Sequence, residues 1–303
     1  MYQEIQSSKK MSIAVVTAFF PIKSKEPTSF YLEKSKFLLN RCKEHMFLFT
    51  TKEYAPILSS FRGNYSTTLL IDEFPGKFIC PLNFLFSDAV FANMAKKVQK
   101  RKKEFLLQKP PRITGDLLKL WLSKSWFVER SIQENSTFDY FIWCDIGSCR
   151  EEKHINVIPA WPSFKKVQAK FRDDDRLVFY QRRRFQDDTN IYSLDKRPVI
   201  AGSHIFGKKS SWKGCFQDVI AQVQENITSF NDLGTDESIY FYLAQNRPEK
   251  YRMQFVGNDK DPFDILHKSW FRTYEIDYES IVEYNRELIE KACQLLPLAF
   301  LNL

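Results

Sequence analysis

Apolar residues fall along this chain in two alternating rhythms. Ser12–Phe20 (SIAVVTAFF) is a short, continuous apolar run that ends at Pro21, the pattern of a buried parallel strand. Ser29–Arg41 follows, with Phe30, Tyr31, Phe37 and Leu38 separated by polar residues as on one face of a helix. Met46–Thr51 reads as a second strand, Tyr54–Arg62 as a second helix and Thr67–Ile71 as a third strand. Strand–helix alternation of this kind predicts an α/β fold with a mainly parallel central sheet flanked by helices.

The rhythm continues beyond residue 80. Phe84–Gln108 reads as a basic helix stopped by Pro110–Pro111. Asp116–Gln133 reads as one long helix with Leu117, Leu120, Trp121, Trp126 and Phe127 on its apolar face. Strands are predicted at Tyr140–Cys144, Arg176–Tyr180, Val199–Phe206 and Arg252–Val256, and helices at Trp212–Phe230, Glu237–Ala244 and Tyr278–Leu295. There is no internal repeat and no low-complexity linker. The simplest organisation is a polar N-terminal tail (1–11), a single domain (12–275) and a C-terminal helical extension (276–303).

Composition agrees with a packed domain. Of 303 residues, 44% are hydrophobic and 16% aromatic, which excludes a disordered chain. A net charge of +8 favours anionic partners without choosing among nucleotides, nucleic acid and anionic lipid. The basic runs Lys96–Lys103 and Arg182–Arg184, and the acidic run Asp173–Asp175, read as solvated faces. Six cysteines form neither a C-x-x-C pair nor a zinc spacing, so buried reduced thiols are expected. Met1–Lys10 lacks the apolar core of a signal peptide, and no apolar stretch is long enough to span a bilayer. A soluble, cytoplasmic protein is therefore expected; oligomeric state is not legible.

Four stretches carry candidate chemistry. In Phe138–Arg150 (FDYFIWCDIGSCR) an apolar strand runs directly into Asp145, with Gly147 two residues on. Ligands of open α/β sheets bind at the carboxyl ends of strands, where a carboxylate can take up Mg²⁺ or Mn²⁺; the alternative is an aspartate capping a turn. In Arg197–Gly207 (RPVIAGSHIFG), Gly202 permits close approach of a ligand to the backbone, or marks a bulge. In Leu233–Ala244 (LGTDESIYFYLA), Thr235 or Asp236 caps a helix with Glu237 in its first turn, or one of the two carboxylates faces an acceptor hydroxyl. In Asp261–Phe271 (DPFDILHKSWF), His267 is structural or completes a metal shell.

Taken in order, these stretches resemble the GT-A glycosyltransferases, and more closely the HtrL/YibB-like family. The likeness rests on VTAFF at Val16–Phe20, on a lysine-bearing helix (LWLSKSWFVERSI, with Lys124), and on Trp143, Asp145, Gly147 and Arg150. Ala201-Gly202, Thr235-Asp236-Glu237 and Asn246–Pro248 complete it, over roughly Ser12 to Phe255. The resemblance implies a GT-A-like (Rossmann-like) fold and a hexosyl- or pentosyltransferase. Such an enzyme moves sugar from a nucleotide-sugar, UDP- or GDP-linked, to a glycan or other hydroxyl acceptor with a divalent metal, Mn²⁺ or Mg²⁺. It implies Thr17 and Phe19 near the nucleotide, Arg62, Lys119 or Lys124 on the diphosphate, and Asp145 on the metal. The usual Asp-x-Asp is here Asp145-Ile146-Gly147, which lacks the second carboxylate. A non-catalytic nucleotide- or glycan-binding relative is the alternative. A nucleic-acid-binding protein is the weaker one, since no nucleic-acid motif accompanies the positive charge.

Overall fold

The structure, a computed structural model, describes residues 12–23, 26–73, 81–105, 112–149, 161–162, 174–183 and 199–255. All of them belong to the first of two units into which the chain divides, Met1–Trp270 and Phe271–Leu303. The polar tail, the extension expected at 276–303, the helix predicted at Tyr278–Leu295, and His267 lie outside the described residues.

Seven strands form one sheet: β1 (Ile13–Phe19), β2 (His45–Thr50), β3 (Thr67–Ile71), β4 (Tyr140–Cys144), β5 (Leu177–Gln181), β6 (Ile200–Lys208) and β7 (Tyr251–Phe255). Their order across the sheet is β3-β2-β1-β4-β6-β5-β7. β6 alone runs antiparallel to its neighbours β4 and β5, and every other pairing is parallel. The α/β, mainly parallel class expected from the sequence is thus the fold observed. Because β6 is reversed, its first residues share an edge with the last residues of β4 and β5: Cys144 lies opposite His204, and Gln181 opposite Ile200.

Eight α-helices flank the sheet among the described residues: α1 (Thr28–Leu39), α2 (Ala55–Arg62), α3 (Leu82–Leu85), α4 (Asp88–Phe105), α5 (Gly115–Leu122), α6 (Lys124–Glu134), α7 (Cys215–Phe230) and α8 (Asp236–Asn246). β1 is buried at every position because each face of the sheet is covered. Ile13, Val15 and Phe19 pack with Leu38, Leu39 and Leu58 of α1 and α2. Ala14, Val16 and Ala18 pack with the larger cluster that contains Phe91, Phe127, Phe216 and Tyr240 of α4, α6, α7 and α8. Glu129 of α6 accepts the Phe216 N–H at 3.0 Å, placing a carboxylate at the donor-rich start of α7.

Two expected helices are broken in the structure. The basic helix Phe84–Gln108 is interrupted after Leu85, where Phe86 turns extended, and resumes at Asp88. The long helix Asp116–Gln133 breaks at Ser123. There the hydroxyl donates back to the Lys119 carbonyl at 2.6 Å and the N–H shifts to the Leu120 carbonyl at 3.2 Å, ending α5 and letting α6 start afresh at Lys124. An apolar stripe is continuous across such a break, so periodicity alone does not reveal it.

Arg62, expected on a donor diphosphate, lies at the far end of the sheet. Nη1 donates to the carbonyls of Leu39 (2.9 Å) and Cys42 (2.5 Å). Nη2 donates to those of Glu44 and Ser66, each at 3.0 Å, and Nε to Thr67 Oγ1 at 2.9 Å. All five guanidinium protons are used at the entry to β2 and β3, and the residue is 2% exposed, so it is a strut between α1, α2 and two strands. Arg62→Leu is expected to lower the urea unfolding free energy by about 3 kcal/mol or more, because several buried carbonyls lose their donor together. Nucleotide binding by the folded fraction is expected to be unchanged.

Candidate functional site

The break at Ser123 has a chemical consequence, since it places Lys124 at the first position of α6 with its side chain in the interior. Nζ donates to Asp236 Oδ2 at 2.6 Å and to the Gly202 carbonyl at 2.7 Å, and lies 3.0 Å from Asp145 Oδ1. Three ammonium protons meet three acceptors from three separate elements. The cluster sits at the edge where β4 ends and β6 begins. Lys124, Asp145, Gly202 and Asp236, four of the residues singled out in the sequence, are therefore brought into one place.

Each member is positioned by local chemistry. Asp145 follows the last residue of β4, and its N–H donates to the Ser203 carbonyl at 2.9 Å. Its own carbonyl accepts from the Ser148 N–H at 2.9 Å, closing a turn around Ile146 and Gly147. On β6 the pairing with β5 jumps from Ile205 to Ala201 between Phe179 and Tyr180, so Gly202, Ser203 and His204 bulge out of the β5 ladder. That bulge frees the Gly202 carbonyl for Lys124. A Cβ at Gly202 would collide with Asp236 Oδ2, and would lie 3.0 Å from Asp236 Cγ and 3.3 Å from Lys124 Nζ. The glycine is required by close approach, as a bulge and as a site residue at once. Asp236 is the first residue of α8, after the N-cap Thr235 whose N–H donates to Ser238 Oγ at 2.8 Å. The capping role expected of this stretch and its place in the cluster coexist.

Electrostatics follow from the burial. Lys124 is 2% exposed and Asp236 4%. Burial pulls the Lys124 ammonium down, but the charges and hydrogen bonds of Asp145 and Asp236 outweigh it and hold it above its ordinary value. Burial pushes the Asp236 carboxyl up, against the pull of Lys124. Asp145 is the open member, its side chain 32% exposed. Its Oδ1 also accepts the Trp143 indole N–H at 2.7 Å, and its Oδ2 accepts from Lys124 Nζ at 3.4 Å. Two carboxylates around one ammonium leave the fully ionised cluster one negative charge in excess, and the exposed oxygen belongs to Asp145.

Other expected residues sit differently. Lys124 was expected on a diphosphate, but its three donors are committed to the protein. Lys119, 3% exposed, pairs with Asp88 and lies 5.3 Å from the centre of the Phe91 ring, tying α5 to α4 rather than facing a ligand. Thr17 and Phe19 lie on the α1/α2 face, across the sheet from Lys124. Phe19 is 2% exposed and packs on Tyr54 at 5.1 Å, so it is a core side chain. Thr17 Oγ1 is buried with no hydrogen-bond partner among the described residues, as are Thr50 Oγ1 and Thr51 Oγ1 at the carboxyl end of β2. Gly147 is buried within the turn after β4, and Glu237 is half-buried in the first turn of α8.

Sequence reading missed three features of this edge. The indole N–H of Trp143 reaches Asp145 because residues two apart on a strand share a face. Arg182, read as part of a solvated run, is 5% exposed directly after β5, with its N–H on the Val199 carbonyl at 2.7 Å. Beneath the Asp145 turn, Cys144 Sγ lies 3.4 Å from His204 Nε2 and 3.6 Å from Ser148 Oγ. Burial holds that thiol well above its ordinary value, so it packs rather than reacts.

A scan against family models finds no match, and no curated protein matches either. Among solved structures, the chain is similar to a glycosyltransferase involved in the glycosylation of the major capsid of PBCV-1. That likeness has 13% identity and a TM-score of 0.41, and covers 80% of this chain and 82% of that one. It is also similar to 4-diphosphocytidyl-2C-methyl-D-erythritol synthase from Anaerococcus prevotii DSM 20548. Here the identity is 10% and the TM-score 0.36, with 87% of this chain and 100% of that one covered. No helix among the described residues is long and apolar enough to cross a membrane.

Lys124→Met leaves two carboxylates without their cation and is expected to cost roughly 3–5 kcal/mol. Its pH dependence is diagnostic. Without Lys124 the Asp236 carboxyl rises further above its unfolded value, so the variant is expected to gain stability as pH falls from 8 to 5. In the parent protein Lys124 is raised in the folded state; its contribution is complete below the unfolded lysine value and is lost as pH rises through the folded one. Urea titrations across pH check both signs. Gly202→Ala is expected to cost about 1–3 kcal/mol by overpacking, read as a lower melting temperature.

Proposed function

We propose that this chain is a GT-A-type glycosyltransferase that takes a sugar from a nucleotide-sugar donor, UDP- or GDP-linked, and passes it to a hydroxyl of a glycan or similar acceptor. The observation that carries the reading is the convergence of Lys124, Asp145, Gly202 and Asp236 at the carboxyl end of a mainly parallel sheet. Ligands of open α/β sheets bind at that end.

The residues fit a divalent metal in a limited form. Among the described residues no group of three or more His, Cys, Asp or Glu side chains is placed to share an ion. One partly exposed carboxylate, Asp145, is the nearest approach to a ligand for Mg²⁺ or Mn²⁺, which keep waters and take their remaining ligands from phosphate, but its Oδ2 accepts from Lys124 Nζ and its Oδ1 from the Trp143 indole. The expected partner His267 lies outside the described residues. When bound, the ion would neutralise charge building on the leaving diphosphate.

In this reading the chain's own groups have distinct tasks. Lys124 holds Asp145 and Asp236 at fixed separation and touches no substrate. Gly202 lets the three charges meet, and the turn through Gly147 carries Asp145. Asp236, buried and bound to Lys124, is a positioning residue, which leaves Glu237, next in the first turn of α8, to accept the proton of the attacking hydroxyl.

A second reading, a nucleotide- or glycan-binding relative without activity, is favoured by the Asp-x-Gly sequence at Asp145. A panel of UDP- and GDP-sugars with and without Mn²⁺, followed by thermal shift and by release of nucleoside diphosphate, separates the two. The transferase reading expects at least one donor to raise the melting temperature and to be turned over. Asp145→Ala is expected to lower that turnover about a hundredfold or more, with the fold intact. A donor that binds without turnover supports the second reading, and a panel in which none binds contradicts both.

A further inference from the structure

We infer that two copies of this chain associate through β3, end strand against end strand, and so continue the sheet across a twofold axis; the inference is independent of the transferase reading. β3 stands at one end of the sheet and pairs only with β2 among the described residues. The Ser66 carbonyl accepts the Met46 N–H at 3.1 Å, and the Asp72 N–H donates to the Thr50 carbonyl at 2.9 Å. Backbone groups alternate in direction along a strand. Those of Thr68 and Leu70 therefore also face β2, and those of Thr67, Leu69 and Ile71 face away from it. The side chains alternate too. Leu70 packs on the larger core cluster, whereas Leu69 and Ile71 are 36% and 51% exposed.

Charge selects the occupant of this edge. From Tyr54 to Ile71, through α2 and β3, the only charged residue is Arg62, and it is buried. The stretch stands apart in a chain that is 27% charged. Four of the six large apolar side chains exposed among the described residues, Ile57, Tyr65, Leu69 and Ile71, fall within it. At the other end of the sheet β7 carries Arg252, paired with Asp174 at 2.6 Å, and a charged end strand resists pairing. β3 has no such guard. Copies of a chain with a net charge of +8 repel one another, so they meet most readily on a face without charge. A twofold axis through Leu69 sets each Leu69 opposite its equivalent, and Thr67 of either copy opposite Ile71 of the other. These are the residues whose backbone groups face outward, so each opposed pair exchanges two hydrogen bonds as in an antiparallel ladder. In the same register Asp72 meets Ser66, and no two carboxylates are opposed. The polar side chains of the edge are already used within the protein: Ser66 and Thr68 on the ring nitrogens of His45 at 2.7 and 3.1 Å, and Thr67 on Arg62 at 2.9 Å.

Sedimentation equilibrium of the full chain between about 1 and 100 μM reads the association by mass action. The parent is expected to approach twice the 35.9 kDa of one chain as its concentration rises. Leu69→Lys sets two ammonium groups opposite each other at the axis and is expected to weaken the dimer about tenfold or more. Leu85→Lys, at an exposed leucine outside the stretch, is expected to leave it unchanged. If Leu69→Lys fails to fold by circular dichroism, Leu69→Cys is the second variant. The axis holds the two Cα atoms about 5.5 Å apart, within reach of a disulfide, so this variant is expected to cross-link to its own copy under mild oxidation while the parent does not. A parent that stays monomeric throughout, as it would if another segment of the chain covered β3, overturns the inference. So does a dimer that survives Leu69→Lys unweakened, or a folded Leu69→Cys protein that does not cross-link.

Discussion

One buried ammonium holds this site together. Lys124 joins the start of α6, the turn after β4, the bulge of β6 and the start of α8, regions far apart in sequence. A charge so placed is tolerated only when its protons are all matched, and the surroundings are shaped to match them. Gly202 has no side chain because one would occupy the space of Asp236. The β6 ladder is interrupted where its carbonyl must turn to the lysine. The helix through residue 123 is broken so that residue 124 begins a new one.

The same arrangement sets the chemical character of the edge. Two carboxylates meet around one ammonium there, and the partly exposed member is Asp145. Around it, rings of Phe20, of Phe49 on β2, of Trp143 on β4 and of Phe127 on α6 pack on one another, and Ile205 and Phe206 of β6 are paired with both β4 and β5. Packing of this kind suits a site that must hold charge at fixed separation rather than rearrange around a ligand.

Much of the fold was legible in the pattern of apolar residues. Thr67–Ile71 and Tyr140–Cys144 coincide with their predicted strands, and the other strands shift by a residue or two. Continuous buried runs bounded by turns leave little else possible. What failed were breaks inside helices, at Ser123 and after Leu85, because an amphipathic stripe survives a change of axis. The reversed direction of β6 was also invisible, since a strand buried on both faces reads alike either way.

Within the site, spacing and residue type picked out Lys124, Asp145, Gly202 and Asp236, whose meeting point the structure supplies. They did not separate a basic residue that faces a ligand from one that braces the protein. Arg62, Lys119 and Lys124 each carry the charge a diphosphate would seek, and each spends its donors on carbonyls or carboxylates of the chain. Arg182 was passed over because a run of arginines resembles a solvated face until one of them proves buried. Partner choice of this sort depends on three-dimensional neighbours, which no local pattern encodes.

The most direct check on the role of Lys124 is a thermodynamic cycle at pH 8 with Lys124→Met, Asp236→Asn and the double variant, each unfolded in urea. If the ammonium and the carboxylate hold one another, the double variant recovers part of the stability lost by Lys124→Met alone, with a coupling of about 1–3 kcal/mol. Losses that simply add would mean that the two side chains do not act on each other, and the account of the site built on their contact would be wrong.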